Sequence, residues 1–307
     1  MINFRYHVVS LTSVFLALAI GLVLGTAALN GPVVDNLNDQ LSGLRKSNSQ
    51  YRDRVEELEG AAKSRGSFVE QVATSTMAGT LTDKSVLVVQ AQGAGPEDRE
   101  GVVKMLQDGG ATITGDVRLT NDFTDPKRDE ALHDLSSQHV PVGVDMPNSG
   151  EGVDTASALL ASVLLKGVDV SEQDRNNVLQ AFAGAGFIVV EGRIVAQADA
   201  VVFVLGPAAT DGEAGARNDA IVKTVKQFDR VCQYAVAAAP LAGDDGDPLV
   251  EMRNDGDLSD SLSTVDGVST PEGRLATAMA VVEQFAGNAG AYGVGQGAKA
   301  RVPQIRQ

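Results

Sequence analysis

The chain has no tryptophan, a single cysteine, three histidines and few aromatic side chains. Aromatic residues make up 4% of the 307 positions, so the flat rings on which sugars and nucleobases stack are scarce. The lone Cys232 cannot form an internal disulfide, so the folded part must rely on a large hydrophobic core. A net charge of −15 repels nucleic acid. We therefore expect no nucleic-acid partner.

A long uncharged run is the first feature that the sequence does contain. No Asp, Glu, Lys, Arg or His occurs from Val8 to Val34, and the densest part, Val14–Leu24, reads VFLALAIGLVL. About 20 apolar residues in a helix cross the roughly 30 Å hydrocarbon core of a bilayer. Residues 1–31 are therefore predicted to be a cytoplasmic stub and a transmembrane anchor. A cleaved signal peptide is the alternative, with small residues at 26–28, but its apolar core is usually only about 7–15 residues long.

Charge sets the expected orientation of this anchor. The amino terminus and Arg5 are positive, whereas the first charges after the run are Asp35 and Asp39. The positive-inside rule then predicts a single-pass cell membrane protein with a cytoplasmic N-terminus and an extracytoplasmic body. Gly21 and Gly25 form a G-x-x-x-G motif that lets two membrane helices approach closely, although glycine is also common in membrane helices that do not pair.

A heptad pattern follows Gly31-Pro32, where we expect the helix to break. Apolar residues alternate by three and four along a seam of a and d positions. The seam residues are Val34, Leu37, Leu41, Leu44, Asn48, Tyr51, Val55, Leu58 and Ala62. Asn48 at an a position favours a parallel two-stranded pair, and Arg54 at g would face Glu59 at e of the partner. Residues 32–70 are therefore predicted to form a dimeric coiled-coil stalk; the alternative is an amphipathic helix packed on its own domain.

Residues 82–286 alternate short apolar runs with helical patterns. Strands are expected near 85–89, 111–119, 187–190, 200–205, 233–238 and 262–265, and helices lie between most of them. This alternation predicts an extracytoplasmic α/β domain with a mainly parallel sheet flanked by helices. The Gly/Ala-rich segment 287–307 is expected to be a flexible tail.

One loop looks like the start of a dinucleotide site. Gly93-Ala94-Gly95 follows a strand and precedes a helix, but the third glycine position is Asp98, next to Glu97. Two acidic residues at a helix N-terminus stabilise the helix and repel a pyrophosphate. We therefore predict no cofactor.

Ligands for metals and groups for catalysis are equally sparse. A copper site built from His133, His139 and Met146 is conceivable, but their spacing fits surface side chains better. Acid-rich loops lack the ordered spacing of an EF-hand and are interpreted as solvated; their acids are Asp244, Asp245, Asp247, Asp255, Asp257 and Asp260. No nucleophile or zinc-protease motif is present. We therefore assign no metal site and no catalytic residues, and predict that the protein is not an enzyme.

Two blocks of sequence resemble the actinobacterial MctB family. The N-terminal block reads MINFRYHVVSL and then FLALAIGLVLG at residues 15–25; the C-terminal one reads VDGVSTPEGR at 265–274 and GAYG at 290–293. The resemblance spans nearly the whole chain. It implies either a copper transport outer membrane protein or, as in the corynebacterial cell-division relative SteB, a membrane-anchored partner of SteA that regulates septal peptidoglycan hydrolases. It implies no catalytic residues.

Physical constraints separate these two functions. A transmembrane barrel needs many strands of about 10 residues with alternating lipid-facing side chains and aromatic girdles, and this chain has few aromatics and intervening helices. A single spanning helix cannot enclose a pore by itself. The sequence therefore favours a dimeric adaptor that pairs with a second copy, and the resemblance implies a SteA-like protein and a peptidoglycan hydrolase as its further partners. Copper transport is the alternative, and few ligands support it.

Overall fold

The structure of the protein is a computed structural model that describes residues 4–243 and 246–304, with the backbone alone between 27 and 34. The chain divides into two compact units, residues 1–64 and residues 65–307. The first unit is helical along its described length, and the second holds all the strands.

Helix α1 spans Phe4–Met77. Its segment Phe4–Thr26 has a mean hydropathy of 2.4 and is the one stretch of the described residues long and apolar enough to cross a membrane. This finding supports a single-pass anchor. The predicted break at Gly31-Pro32 is wrong, because the backbone is helical through both residues. An internal proline removes one backbone hydrogen bond, and the helical sequences on both sides carry the helix past that defect.

A seven-stranded sheet forms the centre of the second unit, in the order β3-β2-β1-β4-β5-β6-β7. The strands are β1 (Ser85–Gln90), β2 (Thr112–Leu119), β3 (Ile188–Val190), β4 (Ala200–Val204), β5 (Ala235–Ala239), β6 (Ser263–Asp266) and β7 (Ala291–Tyr292). Every neighbouring pair is parallel except β2 and β3. The mainly parallel α/β sheet is therefore confirmed, and it is open, with an antiparallel strand at one edge.

Helices cover both faces of this sheet. They are α2 (Pro96–Asp108), α3 (Asp129–Gln138), α4 (Gly152–Leu164), α5 (Glu172–Gly184), α6 (Ala214–Val231), α7 (Pro248–Asn254) and α8 (Pro271–Phe285). Side chains of β1 alternate between two cores: Val86 and Val88 pack with α2, α8 and the end of α1, whereas Leu87 and Val89 pack with α3 to α7. A strand buried on both faces reads as a continuous apolar run, as β1 does.

The segment after residue 286 differs from the expected flexible tail. Strand β7 lies within it and pairs with β6. The chain then folds back, so that the backbone amide of Gly293 donates to the carbonyl of Ala300 at 2.9 Å. This part of the tail is therefore built into the sheet, because the backbone groups at the edge of β6 need partners whatever the Gly/Ala content. A second difference is α7, which begins inside a region expected to be a solvated acidic loop.

Candidate functional site

The predicted seam lies on a solvent-exposed stripe of α1 in the first unit. Its large apolar side chains are between 48% and 73% exposed, namely Leu37, Leu41, Leu44, Tyr51, Val55 and Leu58. Asn48 and Ala62 are exposed as well, and the side chain of Val34 lies outside the described part. Arg54 donates to Glu57 of its own helix at 2.6 Å. The stripe is thus an apolar surface that one chain alone leaves in water.

The two glycines of the membrane segment are equally uncovered. A Cβ added to Gly21 or Gly25 would meet nothing within 4 Å. Both positions therefore offer the small, open surface on which a second helix packs closely in lipid.

The end of α1, from residue 65 onward, is part of the second unit and packs against its other elements. Gly66, Ala73 and Met77 are buried. A Cβ on Gly66 would lie 3.0 Å from Cγ of Pro271, the first residue of α8. Beside it, Nε of Arg65 donates to Glu272 at 2.8 Å. Glycine at 66 thus permits the close approach of the two helices.

A buried carboxylate ties the start of α8 to the start of α2. Asp98 accepts a hydrogen bond from Ser269 at 2.9 Å and one from Nη2 of Arg274 at 3.0 Å. Nε of Arg274 also donates to the carbonyl of Val268 at 3.0 Å. The VDGVSTPEGR block therefore lies where α1, α2 and α8 meet. The residues that form this contact are Gly66, Asp98, Ser269, Pro271 and Arg274.

The same block anchors the C-terminal segment through a fully buried ion pair. Nη2 of Arg253 donates to Asp266 at 2.9 Å and to the carbonyl of Tyr292 at 2.7 Å. Asp266 also accepts from the backbone amides of Val294 and Gly295, at 2.8 and 3.0 Å. The two side chains are 1% and 0% exposed. Every hydrogen bond here crosses to another element, so the pair holds β6, α7 and the returning chain together.

The glycine loop after β1 lies at the edge where parallel sheets bind ligands. Gly93 has φ +77°, and Gly206 after β4 approaches so closely that a Cβ there would lie 2.5 Å from the carbonyl oxygen of Gln92. The first turn of α2 holds Asp98 where a pyrophosphate would otherwise sit. The two loops thus approach each other closely at this edge of the sheet.

The two histidines among the candidate copper ligands each have a contact with another polar group. Nδ1 of His133 lies 3.4 Å from Oγ1 of Thr155, and Nδ1 of His139 lies 2.9 Å from the carbonyl of Leu135. Across residues 4–243 and 246–304 no three His, Cys, Asp or Glu side chains form a group that could hold a metal ion. Cys232 is buried, and burial raises the pKa of its thiol to about 11, which disfavours the thiolate that soft metals bind.

The acid-rich loops have structural roles in the described part. Asp247 accepts from the amide of Leu249 at 2.9 Å and begins α7. Asp255 accepts from Lys226 at 2.8 Å, and this hydrogen bond holds the pKa of the carboxyl below its usual range. Asp257 lies 3.3 Å from the same lysine. Asp244 and Asp245 lie outside the described residues.

Comparison with known proteins identifies the family of this chain from its sequence over nearly the whole length. The sequence profile described as "Copper transport outer membrane protein, MctB" matches residues 1–303. The chain belongs to the MctB family. It is 30% identical to proteins named "Copper transporter MctB" from Mycobacterium tuberculosis H37Rv and Mycobacterium bovis, over 97% of this chain and 98% of each relative. The relative of that name from Mycobacterium leprae is 30% identical over 99% of the chain and 100% of its own length.

The family resemblance seen in the sequence is thus confirmed, but the interactions of its second block were missed. The sequence does not predict the interactions of Arg253, Asp266 and Arg274, and it indicates only a helix-start role for Asp98. A signal was present for Arg274, which lies among small residues that open a helix, whereas the strand STVD that ends at Asp266 has only one apolar residue. A charge in such a place is buried only when it is paired.

Proposed function

We propose that this MctB-family protein is a membrane-anchored, dimeric adaptor with an extracytoplasmic α/β domain and a cytoplasmic N-terminus. The observation that supports it most is the exposed apolar stripe from Leu37 to Leu58, whose six large side chains are 48–73% exposed in a single chain. Apolar side chains repeated at a and d positions bury themselves by pairing with the same stripe of a second helix. The bare Gly21 and Gly25 support pairing of the anchors in the same parallel arrangement.

Charge and polarity support the parallel, in-register form of this dimer. Asn48 at an a position can hydrogen-bond its counterpart only when the two chains are in register. Arg54 is 64% exposed, so its side chain is free to exchange Glu57 for Glu59 of the partner helix.

The family resemblance supports protein partners in the envelope. We propose that the dimer acts with a SteA-like protein in cell division and in the regulation of a septal peptidoglycan hydrolase. A stalk that pairs two domains at a fixed register presents two partner-binding surfaces at once, which raises the effective concentration for a dimeric partner.

Site-directed cysteine crosslinking in intact cells tests the dimer. Leu44→Cys places a thiol at a d position, where the two helices meet, whereas Lys46→Cys places one at the outward f position. We expect a disulfide-linked dimer for Leu44→Cys and none for Lys46→Cys. Native Cys232 is buried and adds no background. Equal crosslinking of both variants, or of neither, contradicts the proposal.

Mass measurement gives an independent test. Full-length protein in detergent micelles is expected to have the protein mass of two chains by light scattering. Leu44→Pro destabilises the helix by about 3 kcal/mol or more. We therefore expect the measured protein mass to fall to that of one chain. A single-chain mass for both proteins contradicts a stable dimer.

Copper transport is a second candidate, which the names of the relatives favour. The described part of this chain offers His133 and His139 as separate imidazoles, so any affinity should be low. Titration of the purified full-length protein with Cu(I) and with Cu(II) tests this function. Submicromolar binding that His133→Ala or His139→Ala removes supports it, and binding weaker than micromolar excludes a dedicated copper site.

A further inference from the structure

The side chain of Arg217 lines the crevice between the ends of β1 and β4. Nε of Arg217 is buried without a hydrogen bond among the described residues. Its nearest carboxylates are Asp211 at 3.7 Å and Asp125 at 4.0 Å, both beyond hydrogen-bond distance. Arg274 has the same 17% side-chain exposure, yet it donates to two acceptors at 3.0 Å. A buried guanidinium donor without an acceptor is costly, and none of the described residues supplies an acceptor to Nε of Arg217.

We propose that this crevice binds the oxyanion of a carboxylate or phosphate ligand, and that the guanidinium of Arg217 holds it. A guanidinium presents its N–H groups as a planar fork, which matches a pair of ligand oxygens. The described acids leave that fork open because neither of them is close enough to accept a hydrogen bond from it.

The position of Arg217 is set by its neighbour. Oδ1 of Asn218 accepts from the amide of Ala209 at 2.9 Å, and Nδ2 of Asn218 donates to the carbonyls of Ala209 and Gly246 at 3.3 and 2.9 Å. These bonds fasten the loop after β4 to the first turns of α6. Arg217 therefore enters the crevice from a fixed backbone, so little entropy is lost when a ligand binds.

Polar side chains and loose ion pairs surround the cavity. Oγ1 of Thr124 donates to Gln92 at 3.3 Å, and both residues line the same space as Arg217. In the loop that follows Thr124, Arg128 lies 3.6 Å from Asp122 and Lys127 lies 3.7 Å from Glu213. Nε of Arg128 is also buried without a hydrogen bond in the described part of the chain. Contacts of this length hold the loops together weakly, so a ligand can displace them.

Size limits the class of ligand. The cavity beside Arg217 measures about 100 Å³, and a cleft of about 440 Å³ lies on the other side of Gln92 and Gly93. A single water needs roughly 10–15 Å³ of such space, so the cavity holds an oxyanion head group and the cleft can hold the rest of a small molecule.

Calorimetric titration of the full-length protein in detergent micelles tests this site. The probes are inorganic phosphate and acetate, at constant ionic strength set with chloride, and their two titrations distinguish a phosphate from a carboxylate ligand. We expect saturable binding of at least one probe, weakened about tenfold or more in Arg217→Gln because charge-assisted hydrogen bonds are lost. Arg193→Gln is the matched control: Arg193 is 80% exposed and bonded to Glu172, and binding should not change.

Two further variants keep the test decisive if Arg217→Gln does not fold. Arg217→Lys retains the charge but loses the planar fork, and Thr124→Val removes a hydroxyl that lines the cavity. Both are expected to weaken binding several-fold while the circular dichroism spectrum stays that of the wild type. The proposal is overturned if the wild type shows no saturable binding of either probe, or if folded Arg217 variants bind as tightly as the wild type.

Discussion

The first unit and the second unit treat their apolar residues in opposite ways. Along α1, Leu44 and Tyr51 are 67% and 73% exposed, whereas Val88 of β1 and Val202 of β4 are 0% exposed. Apolar burial contributes about 25 cal/mol per Å², so the α/β unit gains this free energy within one chain and the stalk cannot. The difference teaches that the second unit buries its apolar side chains within one chain, whereas the proposed stalk would bury its own only by pairing with another helix.

The same helix shows both behaviours in turn. In the second unit, α1 buries Gly66, Ala73 and Met77 against the domain, while Phe68 remains 66% exposed and Val72 41% exposed. Gly66 allows the buried face to lie close to Pro271, whereas Phe68 and Val72 lie on the exposed face. Mutations that exchange these two kinds of residue should therefore separate docking from pairing.

The largest expected effect is loss of the buried ion pair in the domain. Arg253→Met leaves Asp266 buried without its counter-charge, and breaking such a pair costs about 3–5 kcal/mol. We expect a large fall in the urea midpoint of the full-length protein and rapid proteolysis near residues 290–300, while crosslinking through the stalk persists. Arg193→Met breaks an exposed pair with Glu172 and should change stability by less than about 0.5 kcal/mol. Similar losses in the two variants would contradict the proposed importance of burial.

A smaller effect is expected where α1 docks. Gly66→Leu forces a side chain into the 3.0 Å space against Pro271, and such overpacking typically costs about 1–3 kcal/mol. Faster amide hydrogen exchange in residues 66–77 measures the loosened docking.

Gly60 provides the matched control, because a Cβ there meets nothing within 4 Å. Gly60→Leu should leave exchange in residues 66–77 unchanged and raise helix stability by up to about 1 kcal/mol. If the two leucine variants behave alike, Gly66 does not act through its contact with Pro271.

Much of the fold could be predicted because buried parallel strands and amphipathic helices leave strong local patterns. The run Ser85–Val89 coincides with β1, and Ser171, a residue type typical of helix starts, accepts from the amide of Asp174 at 3.1 Å to begin α5. Both signals depend on neighbours within a few residues, so a single sequence contains them.

Features that depend on distant partners could not be predicted. Asp98 and Arg274 are 176 residues apart, and nothing near either one shows that they meet. Strand β7 lies in a Gly/Ala-rich segment that has no strand pattern. The carbonyl of its Tyr292 accepts a hydrogen bond from Arg253, which lies on helix α7. Likewise, the open fork of Arg217 follows from the packing of two loops and from no local motif.

The smallest expected effect comes from a carboxylate at the margin of the domain core. Burial raises the pKa of Asp229 above its ordinary value of 3.8, although Ser261 donates to the carboxylate at 2.6 Å. Between the unfolded and folded pKa values the folded chain binds more protons, so the wild-type free energy of unfolding falls as pH rises through this window. Asp229→Asn keeps an acceptor for Ser261 and removes the titration. It should be more stable than the wild type at pH 7 by less than about 1 kcal/mol, after allowance for solvent screening, and the gain should vanish below the unfolded pKa. Urea unfolding at several pH values measures this difference, and Asp53→Asn at an exposed f position of the stalk should show none. If the stability gain of Asp229→Asn persists in acid, the gain comes from altered packing and not from the removal of a buried charge.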